Sequence, residues 1–128
     1  MRASSRPFIF SNNPPVPAVD GALAALDVLT ESRELLDTLR ARTRQLRDGI
    51  AELALPTVPG HHPIVPIIVG DEERTVTMSQ SLRRHEMFAT SLAYPIVPRG
   101  EARLRLQVSA AHTVDDIDSA IAGLAGAR

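Results

Sequence analysis

The sequence predicts an α+β domain in which a small, mainly antiparallel three-stranded sheet is covered by helices on one side. Three observations lead there. Two segments in the first half repeat apolar residues at helical spacing, three short runs in the second half have the length and composition of strands, and a capped amphipathic segment closes the chain. The order is helix, long helix, strand, helix, strand, strand, helix. At 128 residues the chain is long enough to bury one sizeable core.

The opening stretch holds Pro14, Pro15 and Pro17, which bias their predecessors away from helical angles and mark an extended lead-in. From about Pro17 to Leu29, Val19, Leu23, Leu26 and Leu29 recur on one helical face, with Pro17 suited to the first turn. The next segment, "TESRELLDTLRARTRQLRDGIAELA", is the longest predicted helix. Thr30 or Ser32 can cap it, Glu31 and Glu34 suit the positive end of its dipole, and Leu35, Leu39, Leu46, Ile50 and Leu53 line one face. Its arginines fall mostly off that face and read as a solvated surface. Pro56, Pro59 and Gly60 end it.

"HPIVPIIVG" has the length of a strand and stops at Gly70, and Asp71 can cap a weakly amphipathic helix running to about Glu86 through Val76, Met78 and Leu82. "FATSLA" is a second strand, and "YPIVPRG" a proline-punctuated loop. "ARLRLQV" alternates strictly, placing Ala102, Leu104, Leu106 and Val108 on one face and Arg103, Arg105 and Gln107 on the other. "TVDD" then offers a capping box from Thr113 and Asp116, ahead of the stripe Val114, Ile117, Ile121 and Leu124.

Composition excludes several classes of function. The net charge is −1, so nothing in the balance calls for nucleic acid or an anionic membrane. Phe8, Phe10, Phe88 and Tyr94 are too few for base stacking. Without cysteine there is no disulfide, thiolate catalysis or zinc–thiolate site. No stretch is long and apolar enough to span a membrane, and no apolar signal segment follows Met1, so the expected compartment is the cytoplasm. All 14 basic residues are arginine, and a guanidinium cannot form an imine with an aldehyde cofactor.

The candidate sites are few. His61 and His62 are adjacent and point apart, while His85 and His112 stand alone, so no metal site is expected. No glycine-rich nucleotide-binding motif is present. Ser109, His112 and Asp115 contain the residue types of a hydrolytic triad, but at this spacing turn and cap formation is the simpler role. The arginine strand remains. A guanidinium fork matches a carboxylate bidentately, and the alternative is that Arg103 and Arg105 are surface ion-pair partners of acids such as Glu101 or Asp118.

"RPFIFSNNPP" near the start and "YPIVPRGEARLRLQVSAAHT" near the end together resemble the C-terminal domain of the α-oxoamine synthases. These are pyridoxal-phosphate-dependent acyltransferases of the aspartate aminotransferase fold type. The resemblance runs from about Arg6 to Leu124, and "YPIVP" with Gln107 is most similar to the glycine C-acetyltransferase (2-amino-3-ketobutyrate CoA ligase) branch. "RLRL" also suits 8-amino-7-oxononanoate synthase.

The resemblance implies residues 1–16 as a lead-in after a large domain and residues 17–128 as the small domain. It implies that Arg105 binds the carboxylate of an amino acid, glycine in that branch, before condensation with an acyl-CoA such as acetyl-CoA. It further implies that Ser11, with Asn12, reaches the phosphate of pyridoxal phosphate across a homodimer. At Asn13 and Pro14 the loop departs from the commoner family pattern. The cofactor lysine and the residues that tune the cofactor ring belong to the large domain, so the chain by itself is expected to be inactive. A different reading is a non-catalytic module whose arginine face recognises a carboxylate. Taken as a domain cut from a larger one, the chain is expected to expose apolar surface around Phe8, Ile9, Phe10, Ile96 and Val97.

Mixed with pyridoxal phosphate and reduced with borohydride, the chain should carry no adduct on any side chain. Mass-spectrometric mapping of a reduced adduct to an internal residue would contradict this.

Overall fold

The computed structural model describes residues 14–127. They fall into two compact units divided between Glu34 and Leu35. The first unit contains helix α1, Val16–Glu31, with a proline in its first turn and no buried side chain. Its apolar stripe is exposed, Leu23 and Leu26 by more than half. Between α1 and the next helix the two candidate caps divide their work. Ser32 Oγ accepts the Glu34 N–H at 3.1 Å, whereas the Thr30 hydroxyl donates back to the Asp27 carbonyl at 2.9 Å.

The second unit holds α2 (Glu34–Glu52), β1 (Ile64–Gly70), α3 (Glu72–Arg83), β2 (Thr90–Leu92), β3 (Ala102–Gln107) and α4 (Val114–Gly126). The sheet is antiparallel throughout, in the order β1-β3-β2. β3 is central. Val65 and Ile67 from β1 and Ala102, Leu104 and Leu106 from β3 face a core completed by Leu46 and Ile50 of α2, Met78 and Leu82 of α3, and Ile117 and Leu124 of α4. Helices cover this face, and the opposite face carries the exposed Arg105 and Gln107.

The expected strand faces are observed, while some expected helix faces are not. Leu35 and Val114 are 48% and 44% exposed, so each stripe loses its first member where the helix leaves the core. In α3 the polar side is buried: Thr75 and Ser79 face inward and Val76 is exposed. Both hydroxyls remain bonded, Thr75 to the Asp71 carbonyl and Ser79 to the Ala89 carbonyl at 2.7 Å. A satisfied hydroxyl can be buried at little penalty, so apolar periodicity places Met78 and Leu82 in the core correctly and misses Thr75 and Ser79 beside them. Helix α3 also stops at Arg83, short of Glu86, because Glu86 takes a left-handed φ of 57° that helical geometry does not allow.

Two glycines answer to geometry. Gly70 has φ 86° at the irregularity where β1 and β3 shift register. In α2, a Cβ at Gly49 would stand 2.7 Å from Ile121 Cγ1, so Gly49 lets α4 approach closely.

The capping box opens α4 as expected: Thr113 Oγ1 accepts the Asp116 N–H at 3.1 Å and Asp116 Oδ2 accepts the Thr113 N–H at 2.8 Å. The Thr113 backbone bond, then its side chain, hold the Asp116 carboxyl below its ordinary value of 3.8, with the nearby His112 acting in the same direction. Because the folded pKa is depressed, this contribution to stability is complete above the unfolded value and disappears as pH falls through the folded one. Asp116→Ala, which removes the titrating carboxylate and leaves the Thr113 hydroxyl in place, should therefore destabilise the chain at neutral pH. Denaturant titrations should show the gap between variant and parent narrowing below the ordinary carboxylate range. A gap independent of pH would contradict the capping account.

Candidate functional site

β3 is hydrogen-bonded on both sides, and the edge contacts show which way each residue's backbone points. The Pro66 carbonyl accepts the Thr57 hydroxyl at 2.6 Å, and the Ile68 N–H donates to the Pro56 carbonyl at 2.8 Å. Residues 66 and 68 thus turn their backbone groups away from β3. A proline is tolerated at 66 because its missing N–H would have pointed outward, off the ladder. Pro66 pairs with Arg105, so Arg105 directs its own N–H and carbonyl to the other side, where its register partner is Thr90 of β2. Register partners share a face of an antiparallel sheet. The open face therefore carries the row Pro66–Arg105–Thr90 beside the row Ile68–Arg103–Leu92.

The two arginines differ in their bonding. Arg103 is half-buried and tied down: Nη2 lies 2.7 Å from Glu101 Oε2, and Nε donates to the Glu101 carbonyl at 3.0 Å. The surface ion-pair reading is correct for Arg103. Arg105 is exposed, and its guanidinium has no hydrogen-bond or ion-pair partner among the described residues. Asp118, the other acid considered, instead accepts from Gln45 Nε2 at 2.7 Å. Among the described residues, one arginine is held by an acid and its neighbour is not.

The loop from β2 to β3 borders this face. Arg99 stacks over the Tyr94 ring at 4.4 Å from its centroid, and Ile96 is 73% exposed, as expected for the apolar surface around it, while Val97 is half-buried. The Tyr94–Arg99 stack had no sequence signal beyond two residues of suitable type. Ser11 and Asn12, assigned to cofactor binding through the resemblance, lie outside the described residues, as do Phe8, Ile9 and Phe10.

Other candidates resolve into local structure. His112 Nδ1 accepts the Ser109 N–H at 3.1 Å and Ser109 Oγ accepts the Ala111 N–H at 3.2 Å, which closes a turn and builds no triad. His62 Nδ1 likewise accepts the Ile64 N–H at 3.1 Å. Among the described residues no group of three or more histidine or acidic side chains is placed to hold a metal. A cleft of about 580 Å³ opens at the far end of β3, between His85, Met87, His112 and Ile117. It lies on the helical side and does not include Arg105.

The aminotransferase class I and II family model matches residues 1–124. The chain is 39% identical to 8-amino-7-oxononanoate synthase of Symbiobacterium thermophilum over 94% of its length and 31% of that protein's. It is 36% identical to mitochondrial 2-amino-3-ketobutyrate coenzyme A ligase of Mus musculus, over 94% of its length and 29% of the relative's. It thus spans under a third of these curated relatives. Among solved structures, the serine palmitoyltransferase of S. paucimobilis with a bound PLP–myriocin aldimine superimposes with TM-score 0.91 at 24% identity. That match covers 98% of this chain and 32% of the other. An 8-amino-7-oxononanoate synthase from Francisella tularensis gives TM-score 0.81 at 18% identity, covering 97% and 36%.

An exposed arginine on the open face and a packing residue on the covered face should separate in stability measurements. Arg105→Ala should stay within about 0.5 kcal/mol of the parent. Leu104→Ala, one residue away and fully buried, should lose about 2–5 kcal/mol. Equal losses in denaturant titrations would show that Arg105 holds the fold together.

Proposed function

The chain belongs to the aminotransferase class I and II family, in its pyridoxal-phosphate-dependent α-oxoamine synthase branch, and on that premise we propose that it supplies the carboxylate-binding arginine of an acyltransferase. The substrates would be an amino acid and an acyl-CoA, and Arg105 would hold the amino acid's carboxylate. The observation that supports this is the contrast within β3: Arg103 is occupied by Glu101, while Arg105 stands exposed with its donors unused.

A bidentate, charge-assisted pair at Arg105 would contribute about 1.5–3 kcal/mol to binding, enough to orient a small zwitterion. The exposed face suits this only when a second surface closes over it and excludes water, since an arginine in open solvent binds carboxylates weakly. Leu92, Ile68 and Pro66 around the arginines provide apolar ground for such a closure.

The cofactor of the family is pyridoxal phosphate, which supplies an electron sink for a carbanion next to the amino acid's nitrogen. The residues of this chain do not fit covalent attachment of that group, because the sequence holds no lysine. A lysine would have to come from outside these 128 residues. Ser11 and Asn12 are proposed for the cofactor phosphate, across a homodimer, on the strength of the "FSNN" resemblance alone. The lead-in at residues 1–16 and the small domain at 17–128 are proposed from the resemblance over about Arg6 to Leu124, and action in the cytoplasm is proposed apart from it.

Within the branch, "YPIVP" and Gln107 favour glycine and acetyl-CoA, as in 2-amino-3-ketobutyrate CoA ligases. The 39% identity to an 8-amino-7-oxononanoate synthase supports the second reading, in which a longer acyl-CoA is used.

The test is a chimera in which this chain replaces the corresponding third of the Symbiobacterium enzyme. Arg105→Lys should raise the amino-acid KM by about tenfold, because lysine keeps the charge and loses the fork. Arg103→Lys should change it much less. Equal increases, or an increase for Arg103→Lys alone, would place the carboxylate elsewhere.

A further inference from the structure

Thr90 is the residue that faces Arg105 across β2 and β3, and no function has been attached to it so far. The backbone argument above makes Thr90 and Arg105 partners whose N–H and carbonyl groups face each other. In such a pair the Cα atoms stand about 5.5 Å apart with both side chains on one face. Thr90 is exposed, and its hydroxyl, like the Arg105 guanidinium, has no partner among the described residues. The other neighbours of Arg105 offer less. Pro66, its partner on β1, has no side-chain acceptor, and Arg103, two residues earlier, is bound to Glu101.

We infer that Thr90 is a positioning residue for Arg105. With a carboxylate bound, the Thr90 hydroxyl, unpartnered among the described residues, accepts one guanidinium N–H, which draws the side chain over the sheet toward β2 and leaves the remaining donors converging on the ligand. The guanidinium has five donors and a carboxylate uses two, so a hydroxyl acceptor takes none that the ligand needs. This assignment rests on the carboxylate reading of Arg105. It adds that the fork is oriented from the edge strand, by a residue whose type is open to substitution without disturbing the core.

The test follows the Arg105 Nε–Hε resonance by NMR in the chimera with the Symbiobacterium enzyme, where a second surface can close over the arginine, during titration with acetate against chloride at the same ionic strength. Thr90→Val keeps the shape and strand preference of the residue and removes the hydroxyl, while Thr90→Ser restores it. Thr90→Val should weaken acetate binding about three- to tenfold, the size expected for one lost hydrogen bond. Thr90→Ser should bind like the parent, with the backbone amides of Leu104 and Leu106 unmoved in both variants. If Thr90→Val binds acetate as the parent does, or Thr90→Ser fails along with it, the positioning role is wrong. If acetate leaves Arg105 of the parent chimera unmoved, the carboxylate reading itself fails, and the role of Thr90 falls with it.

Discussion

Strand β3 is hydrogen-bonded along both edges, to β1 and to β2, so its residues can neither slide nor roll without breaking two ladders at once. With a side-chain period of two, a slip by one residue would send Arg103 and Arg105 into the core and Leu104 and Leu106 into water. Burying two guanidinium groups unpaired is far more unfavourable than exposing two leucines. The register is therefore fixed by the pattern itself. Everything functional in the structure depends on this, because the same alternation that buries Leu104 and Leu106 against Ile50 and Leu124 presents Arg105 on the opposite face.

The surroundings then distinguish two arginines that the pattern treats alike. Glu101 lies two residues before Arg103 on the same side of the chain and captures it with a carboxylate and a carbonyl. Arg105 has Pro66 on one side and Thr90 on the other, neither able to neutralise it. A charge without a partner among the described residues is poorly used in an isolated domain. It makes sense when a second surface brings an anion to it. That bonding pattern leaves Arg105 available for the carboxylate role proposed for it.

Much of this was legible in the amino-acid sequence where one strong rule operated. The alternation in "ARLRLQV", the capping box at Thr113 and Asp116, and the helical repeats through Leu46, Ile50, Ile117 and Leu124 each follow from a single periodicity or a single cap. Legibility failed where side-chain hydroxyls and guanidinium groups were satisfied by backbone carbonyls. Thr75 and Ser79 are buried because Asp71 and Ala89 carbonyls accept their hydroxyls, which no hydrophobic count can foresee. The Arg47 clasp on the Val58 and His62 carbonyls was read only as part of a solvated face. At the site, Arg105 was named from the sequence, but the separation of its role from that of Arg103 on structural grounds, and the place of Thr90, needed the pairing register. A three-residue strand such as β2 has too little pattern to announce its register in advance.

The central claim is that the open face of β3 binds a carboxylate through Arg105 and not through Arg103. A high-resolution crystal structure of the chimera with the Symbiobacterium enzyme, soaked in glycine, tests it most directly. The account predicts a carboxylate in bidentate contact with the Arg105 guanidinium at about 2.7–2.9 Å, with Arg103 still bound to Glu101. A glycine bound through Arg103 with Glu101 displaced, or seated in the cleft beside His112 with Arg105 bare, would contradict it.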